Sequence, residues 1–337
     1  MNIKKDYDLT NLNTFGISAK ARFFAEIKNI SELEELFASE VFKNNPKLFL
    51  GGGSNVLFTK DFAGLVILND LTGIEILNEG VNEIMIKAMG GEIWHDLVEF
   101  TVERGYWGIE NLALIPGTVG AAPMQNIGAY GAELKNVLES VEALNIETGQ
   151  KRIFNKEECL LGYRDSIFKQ ELKGKYFIVS ITIKLSKQGN KNITYKILRE
   201  HLENNKIEVT KPKDVSEAVS DIRRSKLPDP KIIGNAGSFF KNVFVSGTEL
   251  KKLKEKYSDI PFWQEGELFK IPAAWLIEQA GWKGKRVGNA GVHEKQVLVL
   301  VNHGGATGEE IKNLATSIID SVYSKFGLHL IPEVNLI

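Results

Sequence analysis

Residues 115–133 read IPGTVGAAPMQNIGAYGAE, with four glycines, two prolines and a single charge at the very end. A solvated loop would carry charge, and a regular helix or strand would not tolerate so much glycine and proline. Small side chains such as Ala121 and Ala122 beside Gly117 and Gly120 let backbone N–H groups approach another surface closely. An uncharged ligand face or a phosphate fits such a surface. The competing reading is a tightly packed connection between core elements.

A second cluster, Gly51-Gly52-Gly53-Ser54-Asn55, follows the short apolar run Leu48-Phe49-Leu50, which reads as a strand end. Consecutive glycines after a strand can form a nest of N–H donors for an anion, although three glycines alone are also a turn. Neither standard nucleotide loop is present, since the chain has no GxGxxG leading into a helix and no GxxxxGK[ST]. Val56-Leu57-Phe58 and then residues 65–68 read as further strand. Two glycine-rich, uncharged loops therefore suggest a dinucleotide held outside a Rossmann fold.

A chain of 337 residues is long for one core, so two or three domains are expected. A net charge of -1 gives no electrostatic case for nucleic acid or an anionic membrane. The opening MNIKKDYDLTNLN lacks an apolar stretch of secretory type, and the longest apolar runs, such as residues 297–301, are too short to span a bilayer. Cys159 is the single cysteine, which excludes an intrachain disulfide and points to a reducing, cytoplasmic compartment. The five histidines, His95, His201, His293, His303 and His329, are scattered, and His293-Glu294 lacks the second His of HExxH. No metal site is expected.

Periodicity predicts a helix over residues 31–38, a strand over 83–89 and a half-buried strand over 180–185. Ile93, Trp94, Leu97, Val98 and Thr101 share a helical face. The polar run at 187–191 reads as a break. Asp214 is expected as an N-cap with Glu217 at N3, followed by an apolar stripe of Val215, Val219 and Ile222 that Pro228 ends. Ile311, Leu314, Ala315, Ile318, Ile319, Val322 and Phe326 predict a C-terminal helix, and residues 328–337 read as a strand. The fold class is α+β.

Further motifs follow in order: Gly162-Tyr163-Arg164-Asp165-Ser166, Lys226-Leu227-Pro228-Asp229-Pro230, GNAGSFFKN from Gly234 to Asn242, and Pro332-Glu333-Val334. With the two glycine loops, and starting at Asn13-Thr14-Phe15, they span nearly the whole chain. In these residues the chain resembles the UDP-N-acetylenolpyruvoylglucosamine reductase family, the UDP-N-acetylmuramate dehydrogenases of peptidoglycan precursor synthesis, in its type I subgroup. The resemblance implies a FAD-binding region of the vanillyl-alcohol-oxidase (PCMH) type in two subdomains, plus a C-terminal α/β substrate-binding domain. It assigns residues 1–72 to the first FAD subdomain, joined by the terminal strand 327–337, and 73–190 to the second. Residues 191–213 become a tyrosine loop and linker, and 214–326 the substrate-binding domain.

The implied activity is reduction of UDP-N-acetylglucosamine enolpyruvate to UDP-N-acetylmuramate, with non-covalent FAD as cofactor and NADPH as reductant. The implied FAD residues are Gly51, Gly52, Gly53, Ser54, Asn55, Pro116, Gly117, Thr118, Gly120, Ala121, Ala122, Gly128 and Tyr130. Neither loop holds a histidine that could tether the flavin.

Three residues carry the implied chemistry. Ser238 would otherwise be a turn serine, and no GxSxG elbow surrounds it. The resemblance makes it the proton donor to C2 of the enolpyruvyl group. Arg164 would otherwise be in a surface ion pair with Asp165; as a site residue it clamps the substrate carboxylate, into which hydride addition at C3 pushes charge. Glu333 would otherwise be solvated; the resemblance places it opposite Arg164. A charged Glu beside a developing dianion is repulsive, so Glu333 is expected to hold or share a proton during the hydride step. Tyr195, Arg223, Lys226, Asn242, Lys283 and Gln296 are the implied partners of the UDP diphosphate, which needs several cationic or amide donors. Two other functions remain open from the residues: a flavin oxidase of the same broad fold, and a non-catalytic sugar-nucleotide binding protein.

Overall fold

The computed structural model describes residues 1–337 and divides into two compact units. Unit 1 comprises Met1–Tyr7, Ala21–Gly52 and Phe62–Ser225. Unit 2 comprises Asp8–Lys20, Gly53–Asp61 and Lys226–Ile337. Helices and strands are mixed in both, as the α+β reading expects.

Unit 1 holds two large sheets and one two-stranded hairpin. The first has the order Lys4–Asp8, Lys20–Ile27, Phe62–Asn69, Lys47–Leu50, and Phe62–Asn69 runs parallel to both of its neighbours. Parallel strands need crossovers, and the helices Ile30–Ala38 and Glu40–Asn44 connect the two strands that flank Phe62–Asn69, Lys20–Ile27 and Lys47–Leu50. Asn29 caps the first of these by accepting the Glu32 N–H. The second sheet is five-stranded and antiparallel: Lys151–Asn155, Leu138–Asn145, Tyr176–Ser186, Glu83–Met89, Ile74–Glu79.

Tyr176–Ser186 feeds two cores, its alternation broken by a register shift at Val179. Phe177 and Val179 pack with Ala25, Ile27, Leu33, Leu36, Leu65 and Ile67, which binds the two sheets together. Ile178, Ile181 and Ile183 pack on the other side with Trp94, Leu97 and Val98 of the helix Trp94–Glu103. This strand thus contributes buried side chains to both cores.

Unit 2 is built on the antiparallel sheet Gly234–Ser238, Val299–Asn302, Ala290–Val292, Arg286–Val287. The helix Gly308–Phe326 buries Ile311, Leu314, Ala315, Ile318, Val322 and Phe326, on the expected stripe. Thr307 and Glu310 close a capping box at its start, and Gly327 ends it at φ +70°.

Two local readings are corrected. Asp214 is not an N-cap, because the helix Pro212–Lys226 begins two residues earlier. Proline preset to helical φ takes the first position, and the Asp214 carboxylate reaches back to accept the Thr210 and Lys211 N–H groups. The end of the chain is not one strand: only Asn335–Leu336 is regular, paired in parallel with Val56–Leu57. The rest of the terminus makes isolated backbone bonds with the segment after Ser238.

Candidate functional site

In unit 1 the two glycine loops meet. A methyl group at Gly51 would overlap the Thr118 hydroxyl, and one at Gly52 would sit 3.0 Å from the Gly117 Cα. A third strand of backbone, residues 90–94, completes the contact. The Gly120 N–H donates to the Gly90 carbonyl at 2.8 Å, Val119 N–H to Glu92 at 2.8 Å and Trp94 N–H to Gly117 at 3.0 Å. A Cβ at Gly120 would lie 3.0 Å from the Gly90 Cα.

Backbones approach this closely only without side chains. Residues 119–125 are a short 3-10 turn with Ala122 buried, while Pro116 and Ala121 face outward. The sequence reading missed Gly90-Gly91. Its signal was the same strand-then-glycine pattern seen at 48–52, here after Glu83–Met89. The Thr118 hydroxyl is buried with no hydrogen-bond partner in the protein. A buried polar atom without a partner is costly, and a ligand oxygen or nitrogen would satisfy it.

The same loop continues into a tight hairpin, Gly128–Ala129 against Ala132–Glu133. Its two turn residues, Tyr130 and Gly131, have φ of +47° and +84°, the pattern of a type I′ turn. Tyrosine is strained there. A second two-residue turn runs from Gly162 to Asp165, which exchange backbone bonds of 3.0 and 3.4 Å. Arg164 sits at its tip with φ +53°, again an uncommon conformation for a bulky residue.

The Arg164 guanidinium donates to the Gly128 carbonyl at 2.9 Å, so one turn is tied to the other. The Asp165 carboxylate accepts the Gln170 amide at 2.9 and 3.0 Å. Arg223, on the helix Pro212–Lys226, has a buried Nε with no protein partner. Burial holds its guanidinium below the usual value, the Arg164 charge lowers it further, and Tyr130 opposes both. Tyr130 and Tyr195 meet edge to face at 5.6 Å. Tyr195 itself is 43% exposed and stands at the start of the helix Lys196–Asn204.

Unit 2 places Ser238 at the end of Gly234–Ser238, where the pairing slips. Asn235 lies opposite Val301 but Ser238 opposite Val299, so one extra residue is looped out. Gly237 has φ +68°, and its N–H donates to the Asn235 side-chain oxygen at 3.0 Å. This is a glycine bulge, a device that re-aims the next side chain. Phe239 and Phe240 follow, each 1% exposed, and anchor the serine's backbone.

Glu333 lies on the neighbouring segment. Its N–H donates to the Phe239 carbonyl at 2.8 Å, and Lys241 N–H donates to Ile331 at 2.9 Å. Asn55 of the first glycine loop reaches the same segment, its amide donating to the Glu333 carbonyl at 3.3 Å. Gly53 belongs here too: at φ +62°, a Cβ would overlap the Leu12 carbonyl. Thr14 N–H donates to the Gly53 carbonyl at 3.0 Å, and the half-buried Ser54 lies between Gly53 and Asn55. The GGGSN stretch is therefore split, Gly51 and Gly52 belonging to unit 1 and the remainder to unit 2.

Lys226 is half-buried at the start of this part of unit 2. Asn242 accepts the Ala273 N–H at 3.1 Å, at the start of the helix Ala273–Gln279, and keeps its amide donors. Lys283 is exposed and pairs with Glu278 at 2.7 Å. The Gln296 N–H donates to His293 Nδ1 at 3.2 Å.

The family model described as "FAD binding domain" matches residues 21–153. The model described as "UDP-N-acetylenolpyruvoylglucosamine reductase, C-terminal domain" matches 229–337. A UDP-N-acetylenolpyruvoylglucosamine reductase of Flavobacterium johnsoniae is 46% identical, covering 100% of both chains. The chain belongs to the UDP-N-acetylenolpyruvoylglucosamine reductase family. It is thus a flavoprotein oxidoreductase.

The solved reductase from Thermus caldophilus has the same fold, with TM-score 0.65 at 21% identity over 99% of this chain and 98% of that one. A solvent-stable cholesterol oxidase shares it more loosely, with TM-score 0.51 at 11% identity over 98% and 86%. The flavin region is therefore of the vanillyl-alcohol-oxidase type. The residues present fit FAD: Gly51 lies against the unsatisfied buried hydroxyl of Thr118, where closely packed glycine backbones (Gly52 on Gly117, Gly120 on Gly90) leave no other side chain to partner it. No helix is long and apolar enough to cross a membrane.

Proposed function

We propose that this protein reduces UDP-N-acetylglucosamine enolpyruvate to UDP-N-acetylmuramate, taking its reducing equivalents from NADPH in the cytoplasm. The observation that carries the reading is the pairing of a bulge-set Ser238 with Glu333 across one backbone hydrogen bond.

On this reading residues 1–190 hold FAD and 214–326 the sugar nucleotide, with the tyrosine loop at 191–213 and residues 327–337 returning to the first segment. Gly51, Gly52, Gly53, Ser54, Asn55, Pro116, Gly117, Thr118, Gly120, Ala121, Ala122, Gly128 and Tyr130 would hold FAD. When bound, FAD supplies the hydride that adds to C3 of the enolpyruvyl group.

The chain's own residues then manage charge and protons. Arg164, held by its turn and by Gly128, binds the carboxylate into which electron density moves. Ser238 gives the proton that C2 needs. A hydroxyl is a weak acid, so this works because the carbanion is strongly basic. Glu333 carries a proton in that step, which avoids placing a second negative charge beside the dianion. Tyr195, Arg223, Lys226, Asn242, Lys283 and Gln296 bind the diphosphate end. The unpartnered Arg223 Nε is a donor still available to it.

The test is direct. Purified protein given NADPH and the enolpyruvyl sugar nucleotide should form a product heavier by two hydrogen atoms, seen by mass spectrometry. Oxidation of NADPH with no change in the sugar nucleotide contradicts the reading.

A further inference from the structure

Asn111 is 1% exposed, in the short turn Glu110–Leu112, and belongs to none of the glycine loops. Its Nδ2 donates to the Tyr130 carbonyl at 2.9 Å and to the Asn192 carbonyl at 2.8 Å. Both neighbours are carbonyl oxygens, so only the nitrogen end of the amide can face them. Asn192 answers in the other direction, its amide donating to the Gly131 carbonyl at 3.0 Å.

Two asparagines thus hold both carbonyls of the strained Tyr130-Gly131 turn and join it to the segment that presents Tyr195. A Cβ at Gly131 would lie 3.6 Å from both the Asn192 side-chain oxygen and the Tyr195 Cβ, so these two side chains lie against the turn. The turn carrying Asn111 is itself fixed. The buried Glu110 carboxyl accepts the Gly108 backbone N–H.

We propose that Asn111 is a positioning residue for sugar-nucleotide recognition, a buried clamp that sets Tyr195 against Tyr130 and so registers the substrate loop to the flavin loop. This rests on the proposed role of Tyr195 at the diphosphate. Alanine at 111 leaves two carbonyls without their donor, and aspartate places a carboxyl against them.

The test uses the flavin-loaded full chain. In Asn111→Ala, amide hydrogen exchange at 193–196 should quicken about 5–10-fold, the worth of a buried hydrogen bond, while exchange across Tyr176–Ser186 is unchanged. The KM for the enolpyruvyl sugar nucleotide should rise by about the same factor, with flavin reduction by NADPH unaltered. Asn192→Ala, at a half-buried position, removes the bond to Gly131 and a 3.5 Å contact from the Thr194 hydroxyl, leaves both Asn111 bonds in place, and should shift both readouts in the same direction. It also decides the matter if Asn111→Ala does not fold. Exchange and KM both within twofold of the parent in a folded variant overturn the proposal. Changed exchange with unchanged KM also overturns it, leaving a purely structural contact. If the parent does not reduce this substrate, the functional reading fails, and binding of UDP alone by each variant replaces KM as the deciding readout.

Discussion

Glu333 donates its backbone N–H to the carbonyl of Phe239, at 2.8 Å, one residue beyond Ser238. Two residues far apart in the chain are thereby held in fixed backbone register, and the Lys241–Ile331 bond at 2.9 Å keeps that register from slipping. The bulge at Gly237 fixes the serine on its other side. The proton donor of the proposed reaction is therefore positioned by main chain on both flanks.

Replacing the hydroxyl should separate the two halves of catalysis. Ser238→Ala should leave NADPH-driven flavin reduction nearly intact and slow reoxidation by substrate about 10²–10⁴-fold, the usual worth of a positioned acid. Stopped-flow absorbance reads both. Equal losses in the two halves would mean a damaged flavin site instead.

The bulge itself can be probed without touching the hydroxyl. Gly237→Ala places a side chain at φ +68° and should destabilise unit 2 by about 1–2 kcal/mol. It should also slow reoxidation more than reduction. Denaturant unfolding together with the same stopped-flow traces checks this; parental stability would show that the turn relaxes freely.

Thr118 offers a test of cofactor fit independent of turnover. Its hydroxyl has no partner in the protein, so Thr118→Val should leave the apoprotein as stable as the parent or more so. If a FAD oxygen is the missing partner, FAD affinity should fall about 10–100-fold, equivalent to a hydrogen bond to a charged group. Titration of apoprotein with FAD measures it, and unchanged affinity would contradict the assignment. Gly51→Ala, which collides with the same hydroxyl, should be purified with little flavin.

Lys226→Ala should raise the KM for the sugar nucleotide with little change in kcat, because binding of a non-reacting diphosphate is uniform between ground and transition states. A lowered kcat at unchanged KM contradicts that role.

His95 links pH to the flavin loop. Its Nδ1 accepts the Leu114 N–H at 3.2 Å, which only the neutral ring can do at that atom. Burial lowers its pKa below 6.5, with Glu99 and Asp96 opposing. The unfolded chain therefore binds the proton first. The stability His95 contributes is present above 6.5 and is lost as pH falls from 6.5 through the lowered folded value. His95→Asn, which keeps an acceptor and does not titrate, should flatten that part of the thermal stability profile. Identical acid slopes for parent and variant would contradict it.

The glycine loops were legible because close backbone approach leaves a compositional trace, a run of small, uncharged residues. Gly90-Gly91 carries the same pattern in only two residues after the strand over 83–89, too short a run to stand out from an ordinary turn. The split of Gly51-Gly52 from Gly53 between two units could not be seen, since neighbours in sequence give no sign of which core each joins. The helices Ile30–Ala38 and Gly308–Phe326 were legible from their buried stripes. Asp214 was misplaced because an acidic residue at N3 and one at N-cap look alike until the proline at N1 is given its weight. The terminal segment was over-read as strand because apolar alternation does not reveal whether a partner strand is available along its length. The Glu333–Phe239 bond is non-local and left no sign in the sequence; the family resemblance set Glu333 opposite Arg164 and did not pair it with the segment after Ser238.

The central claim is tested most directly by following flavin absorbance anaerobically, adding NADPH and then UDP-N-acetylglucosamine enolpyruvate. The account predicts bleaching with NADPH and return of the oxidised spectrum with the enolpyruvyl substrate, in proportion to the amount added. Bleaching that this substrate does not reverse would contradict it.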